Sequence, residues 1–587
     1  MLYFGLAACQ AIGQEAHFLQ VINCHGTLIP NTKLPLHPNW RNYYKAIAYL
    51  ITFPRYLHGM KSPLFACLYI LISSTQVLSQ PLNFTVQWGK EFNASRKSSL
   101  DDIVGFDGTG IYAIKSRFRS PMAGGTTYTL EHYNHEFIPT RSFDLKIKEG
   151  NNLCELQHVL HLNNKLYVFY SCQDYGLKKN NLFVRAIDKS SLRPKAETLK
   201  LGEIDYVGKS RSNHGDFNFR ISRDSSKVLV FYNLPHTKDE PEGFGFHVLN
   251  DKMESIWQRN VTLPYKEGLF DVESFRVDNS GNVYLLGMIY KEKRKSKRRG
   301  QPNYSYEILA CRDGGKTLVQ YPVVLEDRFL SDMQIEILDD RSLICAGFYS
   351  EKGTYSIKGT YFLTIDAATK AIKSKSFKEF GIDFITQGMS EREANRTLRR
   401  AERGEQAELY EYDLDKLLVG KDGSAILIGE QYFVEAVSST MYINGRTTTT
   451  TNYHFYYNDI IAVKINPEGQ IEWAEKIAKA QHSINDNGFY SSYTLAIVKG
   501  KICFIFNDNA DNLGYKGIGR PVNFNGRQPV VMIASLSQQG ELVRQPLYKN
   551  NLDVITRPKV SKQIRNNQVI LFGQRKKSQQ FARVVFE

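Results

Sequence analysis

Apolar and polar residues alternate over strand-length runs along most of this chain, and short polar turns separate the runs. The clearest case is Val277-Asp278-Asn279-Ser280-Gly281-Asn282-Val283-Tyr284-Leu285-Leu286-Gly287. Its Asp-Asn-Ser-Gly turn has short side chains that bond local backbone and a glycine that accepts positive φ, so the stretch predicts a β-hairpin. The unit recurs at Phe106-Asp107-Gly108, Leu162-Asn163-Asn164, Arg223-Asp224-Ser225, Leu338-Asp339-Asp340, Lys421-Asp422-Gly423, Val498-Lys499-Gly500 and Arg565-Asn566-Asn567. An apolar run follows each turn, as in Leu166-Tyr167-Val168-Phe169-Tyr170 and Val569-Ile570-Leu571-Phe572. A weaker strand pair then surrounds a second turn, as at Asn466-Pro467-Glu468-Gly469 and Ser537-Gln538-Gln539-Gly540.

Four strands per unit, repeated radially, protect sheet edges in a β-propeller. The predicted fold class is therefore all-β: a single propeller of eight four-stranded blades, with seven as the nearest competitor. The eighth unit runs out of chain after three strands, at Phe581 to Phe586. Near the other end, Val86-Gln87-Trp88-Gly89-Lys90-Glu91-Phe92 overlies the outer strand Ile471-Glu472-Trp473-Ala474-Glu475-Lys476-Ile477 position for position. The N-terminal strand is thus expected to complete the last blade and leave no open edge.

Insertions interrupt the repeat near 291–303, 382–411 and 432–457. In the second of these, Ser390-Glu391-Arg392-Glu393 has the form of a capping box, and Ala394, Leu398 and Ala401 follow at helical spacing before Gly404. These residues predict one short helix with a thin apolar stripe.

Asp459-Ile460-Ile461-Ala462-Val463-Lys464-Ile465-Asn466-Pro467-Glu468-Gly469-Gln470-Ile471-Glu472-Trp473 resembles the D-x-x-x-x-K-x-N-x-x-G-x-x-x-W repeat of secreted bacterial β-propeller proteins. Val277 to Gly287 is similar to their V-D-x-x-G-N-x-Y-x-x-G segment. The resemblance implies a secreted propeller and no particular activity.

Residues 1–59 lack the repeat and read as an upstream extension from a misplaced start. Met60-Lys61, the apolar run from Pro63 to Leu78 and the small residues of Val77-Leu78-Ser79 read as a signal peptide over 60–79, cleaved between Ser79 and Gln80. Residues 80–587 then form the propeller, exported to a periplasmic or extracellular location, without a membrane span and as a monomer. Export permits disulfides, and Cys154 and Cys172 stand nine residues either side of Asn163, where a pair on adjacent strands is expected unless the register slips by one residue.

The chain carries a net charge of +15. Much of it lies in one loop, where Lys293, Arg294, Lys295, Lys297, Arg298 and Arg299 form either a solvated tip or a clamp for an anionic glycan or lipid. Nucleic acid is not an expected partner of an exported protein. In the third insertion, Tyr453, Phe455, Tyr456 and Tyr457 sit on an extended hairpin where aromatic rings can stack on sugars or anchor a protein. Asn507-Asp508-Asn509-Ala510-Asp511-Asn512 concentrates oxygen atoms, making Asp508 and Asp511 weak calcium candidates, although the same residues cap turns by themselves. Otherwise no cofactor is expected.

His482, Asn485 and Asp486 precede an inner strand, where they can line the channel, and His158 reads as a strand residue. Nucleophile-elbow, zinc-protease, Walker and dinucleotide motifs are missing from the right contexts. The expectation is an exported scaffold that binds a protein or glycan through its insertions. The alternative is a channel-mouth hydrolase or lyase acting on an extracellular polymer.

Overall fold

All eight turns read from the sequence join antiparallel strand pairs in the structure, a computed structural model. It describes residues 80–587 apart from 95–97, 119–125, 151, 206–215, 236–238, 293–296, 299–300, 324, 326–327, 444–445 and 550–553. The expected extension over 1–59, the leader over 60–79 with Ser79, and Lys293, Arg294, Lys295 and Arg299 lie outside the described residues. Lys297–Arg298 is a short strand paired antiparallel with Gln301–Pro302. Gln80 is described, and its carbonyl accepts from Lys501 Nζ at 2.6 Å.

The described chain is nearly all β. Its strands form eight antiparallel sheets of four to six strands among the described residues, the repeating unit of a β-propeller, and helices are few. The first sheet runs Ser98–Asp107, Gly110–Phe118, Thr126–Tyr133 and Pro139–Asp144, each strand beside the next. Buried apolar clusters fill the space between consecutive sheets. Tyr284, Ile308 and Tyr321 of the fourth sheet meet Met333, Leu343 and Tyr361 of the fifth. Leu100, Ile111 and Tyr133 of the first sheet meet Ile570, Phe572 and Phe581 of the eighth. Two tryptophans tie outer strands to the next sheet's turns: Trp257 Nε1 donates to Gly281 O at 2.8 Å and Trp473 Nε1 to Gln538 O at 3.0 Å.

The N-terminal strand Phe84–Trp88 pairs antiparallel with Ser578–Phe586, the last strand of the eighth sheet, from Phe84 opposite Phe586 to Trp88 opposite Ala582. Leu82 is buried in the cluster beneath, and its backbone exchanges two hydrogen bonds with the Gln545 side chain at 3.0 and 2.8 Å.

A disulfide joins Cys154 and Cys172, whose Cα atoms are 4.4 Å apart. The turn that sets this pairing is a two-residue one, with Asn163 and Asn164 at φ 47° and 62°. Its ladder alone would place Cys172 opposite Glu155. A register shift between Phe169 and Tyr170 drops one residue, so that Ser171 faces Glu155 and Cys172 faces Cys154. The symmetric count about Asn163 reaches the same pair only because of that bulge. Cys311, Cys345 and Cys503 are buried free thiols, each pushed up to about 12 by burial.

The 382–411 insertion holds two helices rather than one: α1, Ile382–Thr386, and α2, Glu391–Glu402. The capping box is present, with Glu393 N donating to Ser390 Oγ at 3.3 Å and Ser390 N to Glu393 Oε2 at 3.1 Å. The stripe differs from the expected one. Ala394, Thr397 and Ala401 are half-buried, whereas Leu398 is exposed. A 3.6-residue period started on Ala394 falls between 397 and 398, and it is Thr397 that meets the neighbouring Met389, its Oγ1 donating to Sδ at 3.8 Å. No helix among the described residues is long and apolar enough to cross a membrane.

Candidate binding site

Three departures from the repeat meet over the sixth sheet. The first is the sheet's own long hairpin, Ala425–Ile443 with Arg446–Ile465, which extends well past its neighbours. The second is the pair α1 and α2. The third is the 510–528 excursion of the seventh sheet, tied down by its Asx residues. Asp508 Oδ1 accepts from Asn512 Nδ2 at 2.6 Å and from Asn509 N at 2.8 Å, and its Oδ2 pairs with Arg544 at 2.9 Å. Asn512 in turn holds Val522 through both its amide atoms at 2.8 Å. Asp508 is therefore committed to the loop, while Asp511 is exposed and its N–H donates to Asn509 Oδ1 at 3.0 Å. No group of three or more His, Cys, Asp or Glu among the described residues is placed to hold a metal ion.

Between these elements lies a cleft of about 360 Å³. Arg396 and Arg400 of α2, Arg520 of the excursion, and Lys476 and Lys479 from the end of the sixth sheet supply its positive charge; Glu393 and Asp459 are its acids. Phe433, Gln431 and Asn458 face it from the long hairpin. Asn458 is 5% exposed and donates Nδ2 to Gln431 Oε1 at 3.2 Å, yet its Oδ1 meets no donor among the described residues. A buried amide oxygen left in this way is costly unless something donates to it.

The two lysines differ in their partners. Lys476 Nζ donates to the carbonyls of Ile385 and Gln387 at 3.3 and 3.1 Å, binding the C-terminal end of α1 to the sheet. Burial pushes its ammonium down to about 8, against the attraction of Asp459. The Asp459 carboxyl is itself raised by burial, and its Oδ1 accepts from Lys479 N at 3.1 Å. Lys479 has no exposed side-chain surface: Nζ pairs with Glu430 Oε1 at 2.7 Å and donates to Tyr457 O at 2.7 Å and Gln481 Oε1 at 3.1 Å. Glu430 Oε2 accepts from Ser492 Oγ at 2.7 Å. The cleft thus stands on a buried ion pair.

The aromatic residues expected to bind are mostly used within the fold. Tyr456 stacks on Phe433 and on His482, with ring centroids 4.5 and 4.7 Å apart. Tyr457 is buried against Tyr432 and carries Lys559 over its ring at 4.1 Å. Phe455 is half-buried and pairs with Ser483, leaving Tyr453 as the exposed member. Two-stranded ribbons hide aromatic rings against cross-strand partners, which is why the sequence overstated their availability. His482 and Asn485 brace this hairpin, and Asp486 closes a local turn. His482 Nε2 lies 2.9 Å from His454 Nδ1, Asn485 Oδ1 accepts from Tyr453 N at 2.8 Å, and Asp486 Oδ1 from Gly488 N at 2.9 Å. His158 stacks on Phe219 at 5.2 Å, a packing role.

A second set of groups lies along the first strands of the sheets, which hydrogen bonds place side by side. Arg276 donates to Gln334 Oε1 at 2.8 Å and Leu414 N to Asp332 Oδ2 at 3.0 Å. Glu273, Asp332, Asp413 and Asp415 gather here from three sheets, and burial raises all four carboxyls. Asp332 reaches about 7, and Asp415, bonded by Tyr493 OH at 2.7 Å, about 6.

Because Asp332 holds a proton in the folded state between about pH 4 and 7 that the unfolded chain has released, stability is fully present at the acid end of that window. It falls as pH rises through it, by roughly 2–4 kcal/mol. Chemical denaturation from pH 5 to 8 is expected to show this decline, and Asp332→Asn to flatten it. An equal slope in both proteins would rule out Asp332 as its source.

No family model matches the chain, and no curated protein matches it. Solved structures give distant likenesses. Polysaccharide lyase Uly1 is 10% identical with a TM-score of 0.31, over 84% of this chain and 100% of that one. A polysaccharide lyase PL25 ulvan lyase is 13% identical with a TM-score of 0.32, over 74% and 92%. The β-propeller domain of the Trilobed protease from Pyrococcus furiosus is 11% identical with a TM-score of 0.29, over 66% and 96%. None of these scores reaches 0.5, and no activity follows from them.

Proposed function

We propose that this chain is an exported binding protein, an eight-bladed β-propeller closed by its N-terminal strand, that takes an anionic glycan in the cleft over its sixth blade. Support for the closed ring comes from the pairing of Phe84–Trp88 with the last strand and from the apolar cluster between the first and eighth sheets. One observation carries the ligand. Arg396, Arg400 and Arg520, with the buried and already bonded Lys476 and Lys479, line a cleft that also holds a buried amide oxygen without a donor among the described residues. Guanidinium groups suit carboxylate or sulfate, and a sugar hydroxyl suits the amide. Export rests on the leader read in the sequence.

Isothermal titration with trigalacturonate, with maltotriose as the neutral control, tests the cleft. Binding of the acid sugar alone is expected, and Arg396→Gln with Arg400→Gln is expected to weaken it at least tenfold. Equal binding of both sugars, or an unaffected variant, would remove the cleft from consideration.

A second reading is a hydrolase or lyase acting in the channel that a closed ring would enclose. Its support is the gathering of Asp332, Asp415, Glu273 and Asp413, with two carboxyls poised to hold a proton near neutral pH. Release of new reducing ends from the acid polymer, lost in Asp332→Asn and Asp415→Asn, is what this reading requires.

A further inference from the structure

Beside the cleft, and sharing Arg396 and Arg400 with it, runs a shallow groove lined by α2 alone: Arg392, Asn395, Arg396, Arg399, Arg400 and Arg403. No acid lines it. Of its five arginines, four make no ion pair among the described residues, and Arg400 only approaches Glu405 at 3.8 Å. A surface helix ordinarily intersperses charges of both signs. Here Glu391 and Glu393 flank Arg392 in the first turn, Glu393 is used in the capping box and Glu402 ends the helix, while Arg396, Arg399 and Arg400 occupy the turns between and Arg403 follows as the C-cap; none of these acids lines the groove. The neighbouring arginines repel each other, and the fold retains the helix by the cap and by the half-buried Ala394, Thr397 and Ala401.

Resting on the cleft reading above, we infer that the ligand is a repeating polyanion, an acidic polysaccharide, whose chain leaves the cleft past Arg396 and Arg400 and continues along the arginine face of α2. A single anion has no use for the outer groove, whereas a polymer with a charge on every residue gains an added contact at Arg392, Arg399 and Arg403 without a second binding event. The cleft's buried amide favours a sugar chain over a flat anionic membrane. The acids Glu393 and Asp459 in its lining repel phosphate and can accept from sugar hydroxyls, which favours it over a phosphate backbone.

The experiment is a length series on the full chain from Gln80: oligogalacturonates of two to ten residues, titrated at several salt concentrations. Affinity is expected to rise at least tenfold between the shortest and longest members. The triple variant Arg392→Gln, Arg399→Gln, Arg403→Gln is expected to cancel that gain, leave the shortest ligand unchanged and lower the salt slope by roughly two to three. The lysine triple variant, which keeps the charge, is expected to retain most of the gain and guards against a loss caused by helix unfolding. Affinity independent of length, or an unaffected glutamine variant, overturns the inference while leaving the cleft intact. Failure of every member to bind would instead overturn the cleft reading on which it stands. Tighter binding of single-stranded DNA or phosphatidylglycerol vesicles than of the decamer overturns the choice of polysaccharide.

Discussion

Removal of residues 80–93 is expected to cost the chain its cooperative fold. The segment carries the ladder to Ser578–Phe586, the buried Leu82, the two bonds to Gln545 and the edge-on contact of Trp88 with Tyr548 at 4.7 Å. Burial of Leu82 and much of Phe84 and Val86 contributes about 4 kcal/mol, and the ladder and side-chain bonds add several more. A loss of that size matches the whole stability of many domains, on the order of 5–15 kcal/mol. The deletion also uncovers the edge of Ser578–Phe586, a template for pairing with other chains. Size-exclusion chromatography is expected to show aggregated protein, and a synthetic peptide spanning 80–93, added in trans, is expected to restore the monomer. A truncated chain that stays monomeric and unfolds at the parent's denaturant midpoint would mean that the strand is dispensable.

Lys479→Met is expected to be nearly as damaging, at about 3–5 kcal/mol, since it leaves the Glu430 carboxylate buried without its paired ammonium, with Ser492 as its remaining hydrogen-bond donor among the described residues. Adding Glu430→Gln removes the stranded charge and is expected to recover more than half of the loss. Denaturation of the four proteins of this double-mutant cycle measures the coupling. A Lys479→Met variant within about 1 kcal/mol of the parent would show that the pair carries no such weight.

The fold was legible because turn chemistry is local. Asp278, Asn163 and Gly423 announce their hairpins within a few residues, and repetition confirmed each by the others. The N-terminal strand could be placed because Trp88 repeats the phase of Trp473. The cleft was not legible, since its walls come from positions 385 to 521 that only the fold assembles. Lys476 and Lys479 read as an ordinary charged strand end. Nothing in Glu475-Lys476-Ile477-Ala478-Lys479 signals that two ammonium groups turn inward, because burial of a lysine depends on distant acceptors such as Ile385 O and Glu430. Arg392 to Arg403 stand in the sequence only as charge on and after a short helix. The denser basic run at 293–299 is described only at the backbone of Lys297 and Arg298.

The three buried thiols give the protein an internal clock for its own openings. Cys311 lies in the apolar cluster between the third and fourth sheets, Cys345 in the one between the fourth and fifth, and Cys503 in the one between the seventh and eighth. A thiol held at about 12 and shielded from solvent ignores an alkylating reagent until its sector separates, so each labelling rate reports the opening frequency of one sector. Two distant arcs of the molecule can thus be timed independently in the unmodified chain, without any introduced probe, and ligand at the sixth sheet can be asked which arc it quietens.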